Sequence, residues 1–320
     1  MENYYNYIVI LPILSTLLSL WLGIFTLSKN PKHPVIIGFA LSMLSLAANE
    51  TGSIIILLSP NGVATLLGMQ VSLIGQSVFS AACLFFSIIF ARSNYREILS
   101  HRLPLIIGAS IISIIFIALV NSPQFVFLPS SSTGIIDWGN NLRSNAPLFS
   151  IGRIGRYFYI YLLFVMALSI VNLENTLRSS SGTKRWQIKN LIFGIGAILA
   201  FFIYLSSQKL LFSAIKAQYI PLTSTVLIIS EAIIAVFMVR HRLLNVDIFV
   251  SRYVVYNSLA ILIIGIYLIF TGIIAYGVKY FRIPFSYFFS RLLIFVAIFA
   301  VIIILFNARL RRKFQLLINR

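Results

Sequence analysis

Acidic residues are scarce in this 320-residue chain, which has seven Asp and Glu residues against 25 Lys and Arg residues. Charged residues of both signs make up 10% of the sequence, compared with about a quarter in ordinary soluble proteins. Cys83 is the single cysteine, so an intramolecular disulfide is excluded. So little charge can neither cover the surface of a soluble globule nor keep a chain disordered, and both classes are excluded.

Apolar residues make up 59% of the sequence. They occur in long continuous runs rather than in alternation, which indicates membrane-spanning helices and argues against a β-barrel. At about 20 residues per span, we predict an all-α, polytopic membrane helix bundle with about nine transmembrane helices. The predicted spans are 7–27, 35–58, 64–91, 105–121, 154–173, 191–212, 219–239, 257–278 and 287–307.

The distribution of basic residues predicts how the bundle is oriented. With nine spans, 17 of the 25 Lys and Arg residues fall on one side and eight on the other. Because positively charged loops stay in the cytoplasm, we place the N-terminus outside and the C-terminus in the cytoplasm. The net charge of +18 then reflects topology and attraction to anionic membrane lipids, and no nucleic-acid partner is expected.

Ionisable side chains inside spans are costly and mark candidate sites. Glu50 follows Asn49 in the second span, and Glu231 lies near the middle of the seventh. The second span carries small and polar residues every three or four positions, and Gln76 lies on a similar face of the third. Such faces suit close helix packing. Two interpretations stay open: these four residues line a pocket for a signal or ligand, or they form a packing seam with its carboxyl protonated or paired.

Basic residues also occur at the predicted outer ends of spans. Arg153 and Arg156, three positions apart at the start of the fifth span, share a face and could complete a site for an anionic ligand. They could equally be interfacial anchors whose long side chains reach water. The same anchoring is expected of Lys209, near the end of the sixth span.

The sequence shows no catalytic or metal-binding pattern. Cys83 lies inside the third span, whereas His33, His101 and His241 map to cytoplasmic loops or span ends, which disfavours a Cys–His pair. No cluster of His, Cys, Asp and Glu has the spacing of metal ligands. We therefore predict no catalytic residues, no metal and no cofactor, and the chain itself is not predicted to be an enzyme.

The loop before the eighth span is both apolar and charged. Its five large apolar residues between positions 243 and 249 disfavour water, whereas its charged residues disfavour the membrane core. We expect it in the cytoplasmic headgroup layer, within reach of the basic segment that follows the ninth span. The candidate coupling residues are Arg242, Asp247, Arg252, Arg309, Arg311 and Arg312.

Several segments in the second half of the chain resemble one known family. They are Trp186-Gln-Ile-Lys189, the stretch 204–212, the loop 242–258 and the basic run 309–313. Together they resemble the N-terminal membrane region of PrsK-type histidine kinases, which belong to the PEP-CTERM/exosortase systems. The likeness covers roughly residues 172–320.

The resemblance implies a function for each predicted domain. Residues 1–308 would be a nine-span membrane sensor domain, with loop 122–153 as a small outer cap. Residues 309–320 would begin a cytoplasmic signalling linker helix that leads to a kinase module absent from this chain.

The resemblance also implies the setting of a two-component system. We expect a multi-pass protein of the bacterial inner membrane, a homodimer formed through the cytoplasmic region, and a response regulator as partner of the parent kinase.

The alternative is a small polytopic transporter or lipid-substrate membrane protein, with Glu50 and Glu231 in its pathway.

Overall fold

The structure, a computed structural model, describes residues 2–59, 62–92, 95–127, 148–180 and 182–241. The chain divides into two compact units, Met1–Val250 and Ser251–Arg320, and every described residue lies in the first. The predicted eighth and ninth spans and all six candidate coupling residues therefore lie outside the described residues.

Long helices and three short strands make up the described part of the chain. The helices are α1 (Glu2–Lys29), α2 (Pro34–Leu58), α3 (Gly62–Ile89), α4 (Tyr95–Leu119), α5 (Arg153–Ser179), α6 (Gly182–Phe212) and α7 (Tyr219–His241). The strands are β1 (Val126–Phe127), β2 (Phe149–Ile151) and β3 (Ala214–Ile215). Each of the seven helices is long and apolar enough to cross a membrane. The first seven predicted spans and the all-α membrane bundle are confirmed.

Two of the prolines in these helices are Pro34 and Pro12. Pro34 is at the first position of α2, where a missing N–H costs little because no carbonyl precedes it in the helix. Pro12 lies inside α1, and Thr16 Oγ1 donates a hydrogen bond of 2.8 Å to its carbonyl oxygen. The helix continues through Pro12 to Lys29, so the proline does not interrupt the span.

Six of the helices form a closed ring in the described part of the chain. Each contacts the next in the order α1, α2, α3, α5, α6, α7, and α7 returns to α1. α4 packs against α3, with a smaller contact to α5. Aromatic side chains meet between helices of the ring, as with Phe79 of α3 and Phe202 of α6, whose ring centroids are 5.4 Å apart. Polar groups between these helices are therefore surrounded by apolar side chains.

The three strands form a small antiparallel sheet in the order β1-β2-β3. The sheet lies where α4 and α6 end and α5 and α7 begin, at the end of the bundle predicted to be outside. Gly152 follows β2, and a Cβ there would lie 1.9 Å from the Gln124 carbonyl oxygen, so this close approach requires glycine. The sequence does not predict the sheet, because strands of two or three residues are too short to show alternation.

Candidate functional site

The site is built on the close packing of α2 against α3. A Cβ added to Gly75 would lie 2.6 Å from the backbone nitrogen of Asn49 and 2.7 Å from the Ser45 carbonyl oxygen. A Cβ on Gly52 would lie 2.5 Å from the carbonyl oxygen of Gly68. Glycine at these positions lets the two backbones touch, as small residues do between membrane helices. The polar faces of α2 and α3 are thereby brought into direct contact.

Asn49 joins the two helices by hydrogen bonds. Its Oδ1 accepts from Ser72 Oγ at 2.7 Å and from Gln76 Nε2 at 2.9 Å. Its Nδ2 donates to Glu50 Oε1 at 2.9 Å. All four side chains are buried. The amide of Asn49 therefore links α3 to the carboxyl group of Glu50.

Glu50 in turn links these helices to α7. The side chain is 0% exposed, and Ser224 Oγ of α7 donates to its Oε2 at 2.5 Å. The carboxyl group of Glu50 thus bonds directly to α7 and is connected to α3 through Asn49. Five residues are joined by these hydrogen bonds, and we refer to them as the Glu50 cluster: Asn49, Glu50, Ser72, Gln76 and Ser224.

A second buried carboxyl group, that of Glu231, lies on the same face of α7. It follows Ser224 by seven positions, which is two helical turns. Ser19 Oγ of α1 donates to its Oε1, and its Oε2 has no hydrogen-bond partner among the described residues. One face of α7 therefore contacts both α1 and α2 through polar groups.

Among the described residues, the side chains that donate hydrogen bonds to the two carboxyl groups are uncharged. Glu50 accepts from an amide and a hydroxyl, and Glu231 accepts from a hydroxyl. Arg178 and Glu174 form an ion pair elsewhere in the bundle. Burying a charge costs several kcal/mol unless it is paired and hydrogen-bonded. Hydrogen bonding to neutral groups, rather than a basic partner, is what the structure shows here.

A cavity of about 40 Å³ lies beside the Glu50 cluster. Its lining comes from α2, α3, α6, β3 with the segment after it, and α7. Its polar lining includes Asn49, Ser53, Ser72, Gln76, Lys209 and Lys216. Because Asn49 and Gln76 belong to both the cavity and the cluster, an occupant of the cavity would touch the hydrogen-bonded network directly.

Lys209 is a functional candidate whose position differs from the prediction. The sequence predicts an anchor that reaches water at the interface, whereas the side chain is only 6% exposed. Its Nζ lies 4.8 Å from the ring centroid of Tyr159 on α5. The last turn of α6 faces α5 here, and a cation–π contact replaces part of the hydration that an interfacial lysine keeps. A buried cation therefore lines the cavity.

The two arginines at the start of α5 lie apart from this cluster. Arg153 and Arg156 are exposed, and neither lines the cavity. Of the candidate residues within the described ranges, the structure brings Asn49, Glu50 and Gln76 into one network. Glu231 lies outside this network, two helical turns from Ser224 along α7, and bonds to Ser19 of α1.

A further polar group, which the sequence analysis missed, lies near the end of α5. Glu174 is 7% exposed and pairs with Arg178 across one helical turn, at 3.7 Å. Asn172 Nδ2 donates to Ser87 Oγ of α3 at 3.5 Å. The run Asn-Leu-Glu-Asn-Thr within a span was the available signal. No comparable signal marks Ser224, except its spacing of seven from Glu231.

The fold and the site define the class of protein. It is a polytopic membrane bundle with hydrogen-bonded polar side chains between its spans. A family described as the N-terminal 7TM region of histidine kinase matches residues 11–247. This match covers more than half of the chain, and the chain belongs to that family. No curated protein and no solved structure matches the chain.

Family membership gives the function in general terms. The 7TM region of histidine kinases is a membrane sensor and input domain, and it contains no catalytic domain. The histidine-kinase part of the sequence resemblance and the multi-pass membrane location are confirmed. The family match gives the transporter alternative no support.

Proposed function

We propose that α7 carries the response of this sensor domain from the Glu50 cluster toward the cytoplasm. The observation that supports this role is the hydrogen bond between Ser224 of α7 and Glu50 of α2. Through Asn49, the same carboxyl group is bonded to α3. A rearrangement of α2 against α3 would therefore break or alter a contact made by α7.

The position of α7 in the chain fits this role. It ends at His241, immediately before the segment with Arg242, Asp247 and Arg252. That segment is proposed to lie along the cytoplasmic headgroup layer, and to pass the movement of α7 to the basic run with Arg309, Arg311 and Arg312. The orientation follows from the 17-to-eight division of basic residues, with the N-terminus outside and the C-terminus in the cytoplasm.

The wider setting is proposed from the sequence resemblance. The domain would belong to a PrsK-type histidine kinase of a PEP-CTERM/exosortase system, located in the bacterial inner membrane. Such a kinase would dimerise through its cytoplasmic region and transfer its phosphoryl group to a response regulator. The net charge of +18 supports contact with anionic membrane lipids.

The experiment is to measure autophosphorylation, in membrane vesicles, of the histidine kinase that carries this domain. Ser224→Ala removes the hydroxyl that contacts Glu50, and we expect a change in basal autophosphorylation at an unchanged protein level. Thr225→Ala is the matched control, because the adjacent Thr225 is exposed and its hydroxyl bonds within α7 to the Pro221 carbonyl oxygen. Equal phosphorylation by both variants and the parent protein would contradict the role of α7.

A further inference from the structure

We propose that the cavity beside the Glu50 cluster binds a small oxyanion that also carries a hydroxyl group, with bicarbonate as the simplest example. This inference rests on the sensing role proposed above and names the chemical class of the sensed ligand. Three features of the cavity carry the inference: its charge, an unsatisfied hydrogen-bond acceptor, and its size.

The charge of the lining favours an anion. Lys209 and Lys216 line the cavity, and none of the described residues that line it carries a carboxylate. Lys209 is 6% exposed, so its ammonium group has lost most of its water. The ring of Tyr159 offers only partial compensation for that loss. An oxyanion would supply the charge-assisted hydrogen bonds that a buried ammonium group needs.

The unsatisfied acceptor favours a ligand that also donates a hydrogen bond. Gln76 Nε2 donates to Asn49 Oδ1 at 2.9 Å and lies 3.1 Å from Ser72 Oγ, which fixes the orientation of the amide. Gln76 Oε1 is thereby left buried, with no hydrogen-bond partner among the residues that the structure describes. A buried acceptor that lacks a hydrogen bond lowers the stability of the folded state. Formate and chloride cannot donate to it, whereas the hydroxyl of bicarbonate can.

The size of the cavity favours a small ligand. At about 10–15 Å³ for each water, a volume of about 40 Å³ holds roughly three water molecules. Pockets for drug-sized molecules start at about 300 Å³. An anion the size of bicarbonate fits, and its binding would join residues of α2, α3, α6 and α7.

The test is the thermal stability of the purified chain in nanodiscs of neutral lipid, titrated separately with bicarbonate, formate and chloride. Ionic strength and pH are held constant. Bicarbonate should raise the Tm saturably and more than formate does, because a ligand that binds the folded state stabilises it. Equal shifts with all three anions, or no saturable shift with bicarbonate, would overturn the inference.

Variants make the test specific to this cavity. Lys209→Met should weaken the apparent affinity for bicarbonate by about tenfold or more, as expected for the loss of a charge-assisted hydrogen bond. Lys32→Met, at an exposed position at the opposite end of the bundle, should leave the affinity unchanged. Gln76→Met should remove the preference for bicarbonate over formate. If Gln76→Met does not fold, the formate comparison and Lys209→Met still decide the outcome.

The result is separable from the test of α7. Saturable binding of bicarbonate that is lost in Lys209→Met supports this inference even if Ser224→Ala leaves autophosphorylation unchanged. A phosphorylation effect of Ser224→Ala without bicarbonate binding overturns this inference and leaves the role of α7 in place.

Discussion

Two neighbouring spans, α3 and α4, are both long and apolar, yet they occupy opposite environments. In α3, 78% of the membrane segment is buried, whereas in α4 the share is 11%. α3 packs against α2, α4 and α5, while α4 packs mainly against α3. Apolar character therefore determines that both helices span the membrane, but it does not determine which helix lies inside the bundle.

The difference lies in the small and polar residues. Gly68, Ser72 and Gly75 bring α3 against α2. A Cβ at Gly108 of α4 would meet nothing within 4 Å, and neighbours such as Ile111 are exposed. In lipid there is little hydrophobic force between helices, so close packing and hydrogen bonds decide their association. The comparison predicts that equal substitutions in α3 and α4 have unequal effects.

The largest effect is expected when a bulky residue replaces a glycine at the α2–α3 contact. Gly75→Leu would place a side chain against the backbone of Asn49 and Ser45, which cannot move without separating the helices. We expect this variant to lose the folded state and to fail to accumulate in the membrane. Gly108→Leu is the control, and it should be neutral or more stable by about 0.5–1 kcal/mol, because leucine favours helix over glycine.

The measurement is the amount of folded protein in membranes, followed by unfolding in mixed micelles. If Gly75→Leu accumulates and unfolds like Gly108→Leu, the proposed importance of backbone contact in α3 is wrong.

An intermediate effect is expected at the carboxyl group of Glu50, which bonds directly to α7 and is connected to α3 through Asn49. Glu50→Leu removes the acceptor for Asn49 Nδ2 and leaves that donor buried, which should lower the free energy of unfolding by about 1–3 kcal/mol. Glu50→Gln keeps a side-chain oxygen acceptor and should cost less. The free energies of both variants can be measured by denaturant titration in micelles. A leucine variant as stable as the glutamine variant would show that the hydrogen bonds do not stabilise the bundle.

The smallest effect is expected where α4 is attached to α3. Ser113 Oγ donates to the Ser77 carbonyl oxygen at 3.0 Å and lies 2.7 Å from Tyr161 Oη of α5, and Ser113→Ala removes both of these contacts between helices. The expected loss is about 0.6 kcal/mol for each contact, the average for such bonds in membrane bundles. Ser110→Ala, three positions earlier, removes a bond within α4 to the Ile106 carbonyl oxygen and should have less effect. A larger loss for Ser110→Ala in the same titration would contradict this attachment.

Much of the architecture can be predicted from the sequence, because each span is a continuous apolar stretch. The polar positions of α2 and α3, including Asn49 and Gln76, also repeat every three or four residues, and the structure shows these two faces in contact. Periodicity along a helix is local information. It identifies a polar face but not the helix that this face contacts.

The remaining features depend on contacts between distant segments. Ser224 and Ser19 look like ordinary serines of membrane helices until α7 is placed beside α2 and α1. The burial of Lys209 depends on Tyr159, which is 50 positions away in the sequence. Such pairings are set by the order of helices around the ring, and one sequence carries no direct signal for that order.

The central claim is that Glu50 and Ser224 join α2 to α7, and a double-mutant cycle tests it most directly. The free energy of unfolding in micelles is measured for the parent chain, Glu50→Leu, Ser224→Ala and the double variant. A direct contact predicts an interaction energy of about 0.5–2 kcal/mol, whereas the control cycle with Thr225→Ala, which changes an exposed residue, should be additive. Additivity within about 0.3–0.5 kcal/mol for Glu50 and Ser224 would contradict the claim.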